Sequence, residues 1–417
     1  MVDVVDRIDV AFRGEGSGVA ELTWGQQSML MTMARERSWL PMGGHQPVAP
    51  GATVADVVAE LRYSLERYQS FRTRLRHDGP LQEVHAAGTL AVEVYESDDP
   101  MSFAAEVEHG YRIAQPDLVE DWPLRAAVVC RDGRPERLVA IMPHLVTDAI
   151  GAGVMVAEAT ARVATPVTGP QPLELAAWQR SPSGDRCSAA AVRHWERHLP
   201  SVAMLSPALE PERQRFPKAR FTSPAMAVAV GTVAARTGVD PATILSTAFM
   251  MAVGQVTGAG EVAVRQLVSN RFRAGLAEVV SPLAQLGLCV ADVSGPLDEA
   301  LGRVARASLA AQKHAYYNPL RLAELLAGSA TDVTRTVCYN DRRTRRAAAP
   351  GAPSGDGVFE WVGASTGPTE PLFLHIDDEP GALVLTVDVD TAFLSRTDAE
   401  TVVRTMESLV AGGRAGL

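Results

Sequence analysis

One histidine and one aspartate stand where chemistry would place them. In "AIMPHLVTDAIGAG" (140–153) an apolar run ends in Pro143 and His144, Asp148 follows, and the chain then turns small through Ala149, Gly151 and Gly153. A neutral imidazole at the end of a strand can act as a general base near pH 7. Asp148 lies one turn along, too constrained to be a simple proton relay for His144; pairing with an arginine would let it fix the loop. A second reading stays open on these residues alone: a core histidine bonded to backbone, with an aspartate capping a helix. The spacing is a weak signal by itself, since a chain with 9 His makes a chance match unremarkable.

Other patterns carry less. "GASTG" (363–367) fits the nucleophile-elbow spacing, but Pro368 and a second strand follow where a helix is required. "HWERH" (194–198) sets His194 and His198 on one helical face with Cys187 upstream, yet Glu196 is one place late for a zinc protease and no third ligand is evident. "GEGSG" (14–18) lacks the Lys-Ser/Thr of a phosphate loop and reads as a turn. No metal site is expected. In "NDRRTRRAAAPGAPSGDG" (340–357) the arginines between Arg342 and Arg346 precede an Ala/Pro/Gly stretch, a solvated loop or a docking patch for an acidic partner.

The elements that must position His144 follow from periodicity. Beta-rich runs at 124–130 and 137–144 flank an Asp132-Gly133 turn, and a helix is expected over 148–164. Helices are expected near 22–37, 53–68, 188–198, 224–237, 240–256, 296–314 and 397–412. Strands are expected near 70–76, 261–269, 286–293, 334–340, 357–362, 372–376 and 382–389. Helices mixed with hairpins in both halves point to an α+β class. The 417 residues exceed one comfortable core. Pro/Gly-rich "TPVTGPQPLE" (165–174) and "RSPSGDR" (180–186) are the linker candidates, which divides the chain at 1–170 and 171–417. A net charge of −10 argues against nucleic acid. Four scattered Cys fit a reducing cytoplasm, and no signal peptide or membrane-spanning run is visible.

The order of segments adds what single motifs lack. The 140–153 stretch resembles the His-His-x-x-x-Asp-Gly signature of the condensation domains of nonribosomal peptide synthesis, within the chloramphenicol-acetyltransferase-like superfamily. "LTWGQQSMLM" is similar to that family's opening helix, "SFRTRLR" to its "LRTRF" segment, "WPLRAAVV" to the strand before the His, and "RHWERHL" to its Trp-containing helix. "VAVRQLVSNRFR", "LAQLGLCVADV" and "TVCYND" resemble its later strands. The resemblance implies two acetyltransferase-like lobes in a V with a channel between them. It assigns His144 as catalytic, with Asp148 paired to Arg271 as structural support. Pro143, Ala149, Gly151, Trp24, Tyr339 and Asn340 become channel-lining candidates. It departs from the signature at Pro143, where the first His is expected, at Ala149 for Gly, and at Ala291 for Asn.

The activity implied is amide or ester formation: a carrier-protein-bound acyl thioester meets an amine or alcohol acceptor, with phosphopantetheine delivered by the carrier and no cofactor bound. The chain begins and ends within the resemblance, so a free-standing cytoplasmic monomer acting in trans is expected. A coenzyme A-dependent acyltransferase and a catalytically degenerate recruiter of partners to a carrier protein are the alternatives.

Overall fold

The computed structural model describes residues 4–207, 210–343, 355, 357–365 and 367–412. The chain forms two compact units, Met1–Asp185 with Ser269–Ala284, and Arg186–Val268 with Gln285–Leu417. This division differs from the expected boundary at 170/171 in two ways. Residues 172–179, which take in the end of the expected linker 165–174, form a helix of the first unit, its start set by Pro172 and a Gln171–Glu174 capping box. The segment 269–284, a loop between two strands of the second unit, packs with the first.

The first unit contains β1 (Asp6–Arg13), β2 (Gly18–Glu21), α1 (Trp24–Glu36), β3 (Pro41–Pro47), α2 (Val54–Arg67), β4 (Thr73–Leu75), β5 (Leu81–Val84), β6 (Ala87–Glu96), α3 (Pro100–Ile113), β7 (Arg125–Arg131), β8 (Arg134–Pro143), α4 (Ala149–Ala161) and α5 (Pro172–Gln179); α6 (Pro182–His198) straddles the boundary. Its five-stranded sheet runs β1-β6-β7-β8-β3, all antiparallel except β6/β7; β2, β5 and β4 form a small second sheet. The near-continuous apolar run of β7 is explained by burial on both faces. Ala126 and Val128 pack with Val57, Leu61 and Leu65 of α2, while Ala127 and Val129 pack with Ala104 of α3 and Trp39. Thr53 and Asp56 form the capping box that starts α2.

The second unit contains β9 (Pro217–Ser223), α7 (Pro224–Thr237), α8 (Pro241–Thr257), β10 (Glu261–Val268), β11 (Gln285–Asp292), α9 (Leu297–Lys313), α10 (Pro319–Ala327), β12 (Val337–Asp341), β13 (Val358–Ala364), β14 (Leu372–Glu379), β15 (Ala382–Val389) and α11 (Arg396–Ala411). Its seven strands run β11-β10-β12-β14-β15-β9-β13, with β12 parallel to both neighbours. One face packs on α7, α8, α9 and α11 through alternating residues such as Leu372, Leu374 and Ile376. Ala263 and Leu288 on the other face meet Ala191 and Trp195 of α6 and Leu199 just after it. The apolar window at 241–257 is the buried helix α8. Among the described residues no single helix is long and apolar enough to cross a membrane.

Candidate active site

β8 carries the chain into the site, and its edge partner β3 holds its end. Pro41 lies opposite Pro143, and the register continues one step further: His144 N–H donates to Leu40 O at 3.0 Å. β3, "PMGGHQP", has no alternation and a Pro at each end, so it does not read as a strand from sequence. Its glycines are what allow the pairing. Gly43 has φ +101°, and a Cβ there would stand 2.1 Å from Ala140 O. Leu40 itself takes a left-handed φ of 49°, turning its carbonyl to the His144 amide.

His144 is half-buried; its Nδ1 is fully buried and meets no hydrogen-bond partner among the described residues. Asp148 ends the loop as the cap of α4. Its Oδ1 accepts Gly151 N–H at 2.9 Å and Arg271 Nη2 at 2.6 Å, and its Oδ2 accepts Leu283 N–H at 3.0 Å. The carboxylate therefore serves as helix cap and arginine partner together. Arg271 also donates Nη1 to Val279 O at 2.8 Å and Ala277 O at 3.3 Å, folding 276–283 around itself. Both charged side chains are under a tenth exposed. Such a pair is held by its hydrogen bonds as much as by charge, since desolvation opposes burial of either ion.

Gly151 is buried beneath this pair. A Cβ would lie 2.3 Å from Thr147 Oγ1, 2.9 Å from Arg271 Nη2 and 3.0 Å from Val279 O. Ala149, the first residue of α4, is exposed. Trp24 opens α1 under a Thr23–Gln26 capping box; it is buried, its N–H donates to Gln179 Oε1 at 2.9 Å, and its ring meets Trp178 edge-on at 6.1 Å. The next residue, Gly25, abuts the 269–284 segment, where a Cβ would come 1.7 Å from Pro282 O. The structure thus gathers Pro143, His144, Asp148, Ala149, Gly151 and Arg271. Leu40, Gly43, Val279 and Leu283 complete the group, and sequence reasoning missed them; the Gly pair of 43–44 was the one available signal.

Tyr339 and Asn340 belong to β12 of the second unit. Tyr339 sits in that unit's core with its ring 5.6 Å from Phe249, and burial pushes its hydroxyl pKa well above the usual range. Asn340 points to the other sheet face, where Nδ2 donates to His375 Nδ1 at 3.3 Å. Ala291, at the expected Asn position, is a core residue.

The weaker motifs resolve locally. His194 Nε2 bonds Leu288 O at 2.9 Å and His198 Nδ1 bonds His194 O at 2.8 Å, so these rings anchor α6. Ser365 donates to Asp388 Oδ1 at 3.2 Å, and β14 rather than a helix follows it. Arg342 pairs with Asp377 and Arg343 with Asp341; Arg345 and Arg346 lie outside the described residues. Burial pushes the Cys289 thiol up to about 12, and Cys187 Sγ bonds Tyr316 O at 3.5 Å.

No protein-family model matches the sequence, and no curated protein matches it in sequence. Solved structures do match in fold. The condensation domain that mediates chain release from the enacyloxin polyketide synthase superposes at TM-score 0.71 with 18% identity, covering 95% of this chain and 82% of that one. SgcC5 from Streptomyces globisporus, solved with (R)-(-)-1-(2-naphthyl)-1,2-ethanediol and sucrose, gives 0.68 and 18%, covering 95% and 98%. The X-domain of teicoplanin biosynthesis, solved in complex with OxyB, gives 0.73 and 16%, covering 97% and 95%. The chain has the condensation-domain fold.

Proposed function

We propose that this chain is a condensation enzyme that joins a carrier-bound acyl thioester to an amine or alcohol. The observation that carries the reading is His144, pinned through its amide to Leu40 O and set beside the buried Asp148–Arg271 pair, in a condensation-domain fold. With Nδ1 buried, Nε2 is the nitrogen that works on substrate. It takes the proton of the attacking amine or hydroxyl as that atom bonds to the thioester carbonyl carbon. The tetrahedral oxyanion is stabilised by backbone N–H donors, then collapses by breaking the C–S bond, and the imidazolium returns its proton to the departing thiolate. Asp148 and Arg271 act through the loop they hold and touch no substrate. Tethered delivery of the donor on a phosphopantetheine arm supplies much of the rate by positioning. The partner is an acyl or peptidyl carrier protein.

The test is mass spectrometry of carrier-loaded donors incubated with this protein and a panel of amines and alcohols. His144→Ala is expected to lose product at least about 100-fold while keeping its circular dichroism spectrum and Tm. Unchanged turnover in that variant removes the mechanism, and equal turnover with acyl-coenzyme A makes the enzyme a coenzyme A acyltransferase instead.

Pro143 favours one further reading, a recruiter without chemistry of its own, supported by likeness to an X-domain solved in complex with OxyB. Carrier binding with no product from any donor would select it.

A further inference from the structure

On the second unit's sheet, the face turned away from α7, α8, α9 and α11 carries a polar group that the condensation chemistry does not use. Asn340, His375 and Asp388 come from the neighbouring strands β12, β14 and β15. Asn340 donates its Nδ2–H to His375 Nδ1 at 3.3 Å, so that nitrogen is the acceptor and the ring's proton lies on Nε2. His375 Nε2 stands 3.8 Å from Asp388 Oδ2, too far for a direct hydrogen bond. The other carboxylate oxygen, Oδ1, is engaged by Lys218 Nζ at 3.3 Å and Ser365 Oγ at 3.2 Å. A donor and an acceptor are therefore held side by side with their proper partners elsewhere.

Burial of His375, with Arg342 and Lys218 nearby, lowers its pKa to about 3, so the ring is neutral at physiological pH. The pair is recessed but not sealed, with 16% and 9% side-chain exposure for His375 and Asp388. The Phe373 ring lies 4.1 Å from the imidazole and supplies an apolar wall.

We propose that Asn340, His375 and Asp388 form a subsite for an alcohol hydroxyl, which accepts from His375 Nε2–H and donates to Asp388 Oδ2. One oxygen about 2.8 Å from both atoms reaches each at hydrogen-bonding distance, at a compressed angle of about 85°. A carboxylate ligand fits poorly, because it would face Asp388. An ether accepts one bond and cannot make the other. The subsite stands without the proposed condensation activity; only the hydroxyl's source, an alcohol substrate or the pantoyl part of a carrier arm, rests on that reading.

The test is NMR of the full chain with ¹³C-labelled histidine, His375 being assigned by the resonance lost in His375→Gln. The probes are 2-phenylethanol, its methyl ether, and panthenol for the pantoyl source. The wild-type His375 signal is expected to shift saturably with at least one alcohol, at least tenfold more tightly than with the ether, and the shift is expected to vanish in Asp388→Ala. The tighter alcohol identifies the source. Equal response to alcohol and ether, or no response of any histidine resonance to either alcohol, overturns the subsite, and both results are read on the wild-type chain alone. The same titration in His144→Ala is expected to be unchanged, which separates this outcome from failure of the condensation chemistry.

Discussion

Asp148 Oδ1 and Arg271 Nη2 lie 2.6 Å apart although 123 residues separate them in sequence. The contact ties the loop after His144 to the 269–284 segment, and both partners are nearly sealed from water. Removing one partner leaves the other charge buried and alone. Asp148→Ala is expected to cost about 3–5 kcal/mol of stability, read from the denaturant midpoint, while the Asp148→Ala/Arg271→Met double variant costs less than the sum of the two singles. Additive losses would show that the pair is not coupled.

Gly151 is a packing position under that pair. Gly151→Ala places a methyl within 2.3 Å of Thr147 Oγ1 and 2.9 Å of Arg271 Nη2. Helix propensity alone would make this substitution stabilising. The crowding is expected to reverse the sign, with a loss of about 1–3 kcal/mol and reduced turnover. A raised Tm would contradict the packing.

Gly43 tests the link from edge strand to imidazole. Gly43→Ala combines a left-handed backbone with a Cβ only 2.1 Å from Ala140 O. The expected result is a loss of at least about 1–2 kcal/mol and faster amide exchange at His144. Exchange at His144 that stays as slow as in wild type would mean that β3 does not anchor it.

His375 predicts acid sensitivity in the second unit. Its folded pKa of about 3 lies below the ordinary histidine value of 6.5, with burial the main cause. The unfolded chain therefore takes up a proton that the folded one refuses. The stability from this group is fully present above pH 6.5 and is lost as pH falls toward 3, at up to about 1.4 kcal/mol per pH unit. Burial lowers the His194 pKa as well, adding a loss of the same sign. Melts from pH 7.5 to 5 are expected to fall less steeply in His375→Gln than in wild type. Parallel slopes would mean that His375 titrates normally.

Periodicity and local chemistry were enough for most helices and the central strands, because those elements advertise a buried face within a few residues. α2, α4, α8, α9 and α11 and strands β7, β8, β14 and β15 lie close to their sequence limits. His144 and Asp148 were legible for the same reason, as the end of one element and the cap of the next. Tertiary structure decided much of the rest. β3 exists because Gly43 lets its backbone meet β8, whereas β9, with alternating burial, and α10, an amphipathic helix capped by Asn318, were missed although their sequences carry a pattern. The pairing of Asp148 with Arg271 was a matter of resemblance until the 269–284 segment was placed, since a hydrogen bond between distant residues leaves no periodic trace. The same holds for Asn340, His375 and Asp388: three strands out of sequence order bring them together, and only the sheet's register sets them side by side.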